Sequence, residues 1–580
     1  VRLFRFVFSA WPFAPRIGVR IGVCLGLFAA LQGALASPPA AAERAEAEQR
    51  RIDERARQQR ELLQPRADAP QRPDLALPAL DWPEAEAPCV VIRSVGLAGG
   101  DAERFGFVLD DIVSGPDPAI GRCLGAQGIT VAVERAQRAL VREGYVTTRV
   151  LVGPQDLAPG RLVLSVLPGR LHALRFAAGT RPRARAVNAL PVRPGDVLNL
   201  RDIEQGLENF RRLPSVASEV FIEPADDASA SDLRIVWQQA KPWRLNASID
   251  DSGSRATGRY MGSVTLSVDH GLTLNDLFYL TLNHDLGGGE PGIRGNNGHT
   301  AHYSLPWGYW LLGFTAAHSQ YHQNVAGPFE NFVYSGTSDN AELSLTRLLR
   351  RDARGKTGMA VKAWARRADT AIDGAEVEPQ RRATGGWELG LFHRQAFASA
   401  TLDLQLSHRR GTAAFNALPA PEQVDGEGTS RLRVTTLDTS LQAPWRAAGL
   451  RGRVQTTLRA QHNGTALPAP DRFAIGGRYT VRGFDGETSL SGDRGVLLRN
   501  ELGLSLGASP HEAYLGLDHG RVGGPSTRWM NGRRLTGAVV GLRGSAGACA
   551  YDLFLGWPLQ RPATFHTSSA TAGFSLSAAF

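Results

Sequence analysis

From Trp243 onward, about 340 positions show no helical periodicity. Short stretches instead alternate apolar and polar side chains between breaks of Gly, Asn and Asp. Val264, Leu266 and Val268 alternate with Ser263, Thr265, Ser267 and Asp269. Phe278, Leu280 and Leu282 alternate with Tyr279, Thr281 and Asn283, and Leu402, Leu404 and Leu406 with Asp403, Gln405 and Ser407. A period of two is the signature of a strand. One face is apolar and the other small and polar, which suits lipid outside and water inside. A soluble sandwich also alternates, with fewer strands and a more aromatic core. At roughly 20 residues per strand and connection, the stretch holds on the order of 16 strands. A sheet in hydrocarbon leaves no edge unpaired, so it closes into a barrel. The final stretch repeats the pattern, with Phe574, Leu576, Ala578 and Phe580 on one face and Ser575, Ser577 and Ala579 on the other. An aromatic at that place suits an interfacial girdle, and Phe574, Leu576 and Phe580 are the candidate C-terminal signal for membrane insertion.

Composition agrees with a β span. The 580 residues exceed one ordinary domain. Charged residues are 21% and the mean hydropathy is -0.20. Beyond the N-terminus no apolar run reaches the length of a spanning helix. Residues 1–36 read as an export signal: Arg2, Arg5, Arg16 and Arg20 with no acid, the apolar run Ile21 to Leu31, then Ala34-Leu35-Ala36. Its removal takes four Arg from a net charge of +9 and leaves a small excess. That balance, without a basic run interleaved with aromatics, does not indicate a nucleic-acid binder. Of four cysteines, Cys24 leaves with the signal. Cys89 and Cys123 fall in one small domain, where export permits a disulfide; two free buried thiols are the alternative. No C-x-x-C occurs, so neither a zinc site nor a redox motif is indicated.

The segment 37–64 is rich in Ala, Glu, Gln and Arg from residue 41, a strong helix composition. Glu46 with Arg50 and Asp53 with Arg57 are i,i+4 pairs. A helix polar all round lies in water or in a polar channel, so it is either a solvated linker or a plug. Residues 65–88 carry six prolines and form an extended linker. Residues 89–169 read as a small α+β domain, with a strand at Cys89–Ile92, a helix capped by Thr130 and ended by Gly144, and strands at Thr147–Val152 and Arg161–Leu167. Residues 170–240 repeat the plan, with Leu171–Phe176 as a strand and Asn199 capping a helix whose Leu200, Ile203, Leu207, Phe210 and Leu213 form one stripe. Residues 241–580 are the barrel.

Certain motifs carry a family resemblance. The run Phe473 to Phe484, FAIGGRYTVRGF, resembles the Omp85 superfamily signature, whose core is VRGF. Asp518-His519-Gly520 resembles its second barrel motif. Residues 144–150 (GYVTTRV), 166–170 (VLPGR) and 199–214 (NLRDIEQGLENFRRLP) resemble the POTRA domains of one branch, the two-partner secretion transporters that export haemolysins and filamentous haemagglutinins. The resemblance implies a transmembrane β-barrel of about 16 antiparallel strands with two N-terminal α+β POTRA domains and an N-terminal plug helix. It implies that Val481, Arg482, Gly483 and Phe484 form the tip of an extracellular loop folded into the lumen. Arg482 would meet Asp518 on the wall near Gly520. An Arg there needs a partner, and losing one costs about 3–5 kcal/mol when well buried. Gly483 permits φ > 0, and Phe484 anchors by packing. The alternative for VRGF is a plain turn with an exposed Arg.

Other patterns are decoys. Gly503-Leu504-Ser505-Leu506-Gly507 matches G-x-S-x-G but lies in an alternating strand rather than a nucleophile elbow. His318 and His322 have helical ligand spacing on a strand. No catalytic, cofactor-binding or metal residues are assigned. The expectation is an outer-membrane exporter with its POTRA domains in the periplasm, without enzyme activity or cofactor. Its partners would be an unfolded secreted protein (an adhesin, haemolysin or toxin), outer-membrane lipid, and, during biogenesis, the assembly machinery and periplasmic chaperones. An outer-membrane protein insertase of the same superfamily and a passive porin are the rival readings.

Overall fold

A computed structural model of the chain describes residues 41–63, 80–227, 229–327 and 329–580. The expected export signal at 1–36, both ends of the 37–64 segment and residues 65–79 of the Pro-rich stretch lie outside them. Helix α1 spans Ala41–Leu63. The Glu46 side chain lies outside the described ones, so of the two i,i+4 pairs only Asp53 with Arg57 can be compared, and the charges there pair otherwise. Arg51 bonds Glu48 and Arg57 bonds Glu54 at i,i+3, Arg57 also lies 3.4 Å from Glu61 at i,i+4, and Asp53 faces Arg366 at 3.4 Å. A partner elsewhere in the fold has displaced the local one.

Two α/β modules follow on one plan. In the first, strands Ser94–Gly99, Arg161–Leu167 and Arg149–Leu151 lie side by side in that order, the leading pair parallel. In the second, Arg170–Phe176, Ala230–Gln239 and Val216–Pro224 repeat the order and the parallel pair. Each sheet carries one main helix. Helix α2 (Ala126–Arg142) buries Ala132, Ala136, Ala139 and Leu140, and helix α3 (Leu200–Arg211) buries Ile203 and Phe210. Short helical turns at Ala102–Ser114, with no periodicity to announce them, add Phe105, Val108 and Ile112 to the first core.

Thr130 does not cap α2, which starts four residues earlier. Its hydroxyl donates back to the Ala126 carbonyl at 2.9 Å inside the helix. The cap is Glu86, whose carboxylate accepts the N–H groups of Gly125, Gln127 and Gly128 at 2.6, 2.7 and 2.9 Å. Partial burial acts to raise its pKa, but these three donors outweigh it and hold the carboxyl below its ordinary value. Asn199 does cap α3, accepting from the Arg201 N–H at 2.8 Å. It also donates to the Glu143 carbonyl at 3.0 Å, tying the two modules together. Gly144, at φ +93°, is required there: a Cβ would stand 2.4 Å from the Asn199 oxygen. A disulfide joins Cys89 and Cys123, with Cα atoms 5.3 Å apart.

Among the described residues sixteen antiparallel strands close into one barrel. The first six are β1 (Trp243–Asp250), β2 (Met261–Asp269), β3 (Leu277–Asp285), β4 (Gly295–Trp307), β5 (Trp310–Ala326) and β6 (Asn331–Arg351). Then come β7 (Gly355–Ile372), β8 (Arg382–Ala396), β9 (Thr401–Thr412), β10 (Arg433–Ala447) and β11 (Leu450–Asn463). The last are β12 (Arg494–Ser505), β13 (Glu512–Gly523), β14 (Arg534–Ala546), β15 (Cys549–Gln560) and β16 (Thr571–Ala579). Closure pairs β16 with β1 from Ser575 opposite Asp250 to Ala579 opposite Asn246. Burial is inverted relative to a soluble sheet. Val264 and Leu266 are 43% and 40% exposed, while Thr265 and Ser267 between them are 5% and 2% exposed. The outward face is the apolar one, as lipid requires.

The second module is bolted to one end of the barrel. Asn188 donates to the Pro306 carbonyl at 2.9 Å, and buried Arg212 donates to Ser304 Oγ at 2.9 Å. Glu208 holds both Arg351 and Lys356, and Tyr309 donates to Asp202 at 2.5 Å. Strand ends on this side belong to the module end; the opposite ends form the far rim.

Candidate functional site in the barrel lumen

The connection between β11 and β12, residues 464–493, folds back into the barrel. It is apolar where it must be. Phe473–Ile475 pairs with Leu490–Gly492. Together with Val481 and Phe484 these residues pack on Leu497, Val522, Leu535 and Phe565. Phe484 meets Phe565 edge-on, with centroids 5.7 Å apart. An apolar cluster on the inner wall removes this surface from water and gives the loop a reason to enter.

At the tip, Val481 and Asp518 are 0% exposed and Arg482 is 6% exposed. Asp518 accepts from the Arg482 backbone N–H at 3.0 Å, from Nε at 2.7 Å and from Nη2 at 2.9 Å. Arg482 Nη1 donates to Glu501 at 2.8 Å. Glu501 also takes Arg543, which reaches Glu512, and Glu512 accepts from Arg453. The result is a chain of alternating charge across β11 to β14. Bidentate geometry and mutual neutralisation are what a buried guanidinium needs.

The wall facing the tip is made of glycine. A Cβ at Gly537 would lie 1.9 Å from the Arg482 carbonyl oxygen, and one at Gly516 would lie 2.6 Å from Arg482 Nη2. Gly556 approaches the Gly483 Cα, and Gly483 itself has φ +97°. Gly520 sits against Val481 and Ile475 rather than the guanidinium. Sequence reading missed Glu501, Glu512, Arg543 and the glycines at 516, 537 and 556. Inward parity on their strands was the available signal. A second arginine of the loop, Arg478, donates to Asp251 at 2.6 Å and to the Phe574 carbonyl at 3.0 Å, so the loop also holds the β1–β16 seam.

Helix α1 lies in the lumen beside the loop. Gln59 donates to Asn283 on β3 at 2.8 Å, and Asn296 on β4 donates to Glu48 at 2.7 Å. Arg459 on β11 lies 3.5 Å from Glu54. Ile52, the one large apolar residue at mid-helix, packs on Tyr321, Tyr334 and Val325. Arg51 Nη2 donates to the Gly486 carbonyl at 2.5 Å, linking helix and loop. Beside them a polar cavity of about 1020 Å³ remains, lined by Arg57, Asp438, Arg459, Arg482, Arg499 and Glu501 among others.

The remaining sequence candidates are also placed. Leu576 and Phe580 face outward, and the Phe580 N–H donates to the Leu245 carbonyl at 2.9 Å. Phe574 packs on Tyr260 with centroids 6.1 Å apart. Ser505 ends β12 opposite Glu512 in plain strand pairing. His318 bonds Asp339 at 2.8 Å and stacks on His299. Cys549, at the module end of β15, is exposed on the face shared by Leu553 and Leu555.

Known proteins share this architecture. Residues 229–544 match the family described as haemolysin secretion/activation protein ShlB/FhaC/HecB. Residues 91–169 match the ShlB-type POTRA domain and 170–224 a POTRA domain. The outer membrane transporter CdiB-2 of Burkholderia pseudomallei (strain 1026b) is 37% identical over 569 residues, covering 93% of this chain and 95% of that one. The hemolysin transporter protein ShlB of Serratia marcescens is 27% identical over 452 residues, covering 76% and 78%. The structure of CdiB from Acinetobacter baumannii superposes with a TM-score of 0.81 at 29% identity, covering 94% of this chain and all of that one. A loop-filled, helix-bearing barrel with two POTRA modules, matched over more than half its length, places the chain in the haemolysin secretion/activation (ShlB/FhaC/HecB) family, the outer-membrane transporters of two-partner secretion.

Proposed function

We propose that this transporter exports its partner by releasing α1 from the lumen while the tip at residues 481–484 stays latched to Asp518. The partner is a large secreted protein (an adhesin, haemolysin or toxin) that arrives unfolded in the periplasm. The POTRA modules receive it, through sheet edges or grooves, and the barrel conducts it. Folding outside makes the transfer directional. The observation that carries this reading is the polar character of the α1 contacts. Among the described side chains of α1, Ile52 is the one in an apolar cluster, and the lumen contacts of Glu48, Asp53, Glu54 and Gln59 are hydrogen bonds and ion pairs. Such contacts exchange for water at small net cost, so the helix is removable. The apolar loop tip is not. We assign no covalent step and no cofactor to the process.

The same reading divides the chain into an export signal (1–36), a plug segment (37–64), a linker (65–88), POTRA domains (89–169 and 170–240) and the barrel (241–580). It takes Phe574, Leu576 and Phe580 as the signal read by the assembly machinery, with periplasmic chaperones delivering the chain. The test is single-channel conductance and partner secretion after deletion of residues 41–63. Conductance is expected to rise with secretion retained. Unchanged conductance would sink the plug. Loss of one secreted protein from the producing strain, with other outer-membrane proteins intact, identifies the partner; general depletion of outer-membrane proteins favours the insertase.

A further inference from the structure

The far rim of the barrel has a basic arc. On β9 to β14 the outward basic residues at or within two positions of that rim are Arg410, Arg433, His462, Arg494, Arg521 and Arg534, one from each of six consecutive strands. The outward positions of these strands include no Asp or Glu at all. Every acid they contain (Asp403, Asp438, Glu501, Glu512 and Asp518) belongs to the inward set. Arg410 stands directly across from Arg433, and Arg521 across from Arg534. Like charges in such pairs repel. Among the described residues none of the six side chains has an ion pair or hydrogen bond. Elsewhere on the outward face a charge has a partner: Asp339 binds His318 and lies across from Arg367.

Height fixes what the arc meets. On β10, Trp445 and Arg433 stand at opposite ends of the outward face. Twelve residues at about 3.4 Å each, tilted by roughly 40°, separate them by about 30 Å along the membrane normal. The apolar band of such barrels is about 25 Å tall, so Arg433 reaches the headgroups when Trp445 marks the inner interface. The faces below are lipid-contacting, with Leu406, Val496, Leu515 and Leu517 exposed. His408 and His519 lie one step beneath Arg410 and Arg521, bonded to Thr435 and Thr536. Each strand thus grades from aliphatic to polar to cationic. Since the POTRA modules are periplasmic, this rim faces the outer leaflet.

We propose that the β9–β14 arc is a binding site for the phosphate groups of an anionic lipid in the outer leaflet. Arg presents a planar fork suited to phosphate, and several cations at one headgroup level attract anionic lipid additively. The bound phosphates would relieve the repulsion in the two Arg pairs. The ligand is a lipid rather than a soluble anion because the same strands supply an apolar wall for its acyl chains.

The test titrates the full chain in detergent micelles with four probes: lipid A bearing two phosphates, the same lipid with its phosphates removed, phosphatidylethanolamine, and inorganic phosphate. Native mass spectrometry reads occupancy and thermal unfolding reads stabilisation. The bisphosphorylated lipid is expected to bind at least about tenfold tighter than its dephosphorylated form and to raise Tm. A variant with Arg410, Arg433, Arg494, Arg521 and Arg534 all changed to Gln is expected to lose that preference. Binding indifferent to lipid phosphate, an unchanged preference in the variant, or an equal Tm rise with inorganic phosphate would each overturn the proposal. The comparison of lipids on the unaltered chain decides it even if the variant does not fold.

Discussion

Arg482 and Asp518 show how a single pair sets the position of a long loop. Asp518 is fully buried and accepts three of the tip's N–H groups. Arg482→Ala therefore strands a buried carboxylate, with Arg499 at 3.8 Å as a partial substitute. The expected cost is about 3 kcal/mol, the low end for a broken buried pair, read as faster proteolysis of residues 464–493 in detergent. Unchanged proteolysis would mean the tip is held by its apolar cluster alone. Gly537→Ala tests the same contact without touching a charge. Its Cβ would overlap a backbone oxygen of Arg482, so the tip must move although every ion pair is available. Cleavage rising as in Arg482→Ala is the expected result; a wild-type rate would show that the wall yields instead.

Elements differ in how their stability is supplied. Helix α2 depends on Glu86 for its first turn. Because the folded carboxyl titrates below its ordinary value, its contribution is present above the unfolded pKa and lost as pH falls through the folded one. Protection factors of the amides from Gly125 to Gly128, taken relative to the intrinsic exchange rate at each pH, should fall in acid, and Glu86→Gln should flatten that dependence. The disulfide closes a separation of 34 residues. On the chain-entropy account, replacing both cysteines by Ser removes about 3–4 kcal/mol, to be measured by denaturant unfolding of the full chain followed in the first module. In α1, Ile52→Asp places a charge among Tyr321, Tyr334 and Val325. It should raise the channel's open probability without altering the loop; a closed channel would assign the retention of α1 to its polar contacts. Sequence periodicity announced α3 and the barrel strands because their apolar spacing is local. It missed the start of α2, whose cap comes from outside the helix, and the turns at 102–114, which carry no repeat.

At the scale of the molecule, the second POTRA module and the barrel are one mechanical piece. Glu208 binds Arg351 and Lys356 across their junction. Glu208→Ala removes charged hydrogen bonds worth about 1.5–3 kcal/mol each. It should broaden spin-label distances between module and barrel; a distribution as narrow as wild type would place the rigidity in the Asn188 and Arg212 contacts. The alternation from Trp243 onward contained the barrel, its closure and its lipid-facing side. The VRGF resemblance pointed to Arg482 and Asp518. The glycine wall and the charge chain through Glu501 and Arg543 were not legible, since they depend on which inward positions meet across neighbouring strands. The seam has a consequence for assembly. β1 and β16 lie more than three hundred residues apart in sequence, and they close the ring through a short register. Contacts that distant form late, so β1 spends most of assembly as an open edge, ready to pair with any strand offered. Correct closure is a race against that alternative, and a slower arrival of β16 should appear as dimers joined through β1.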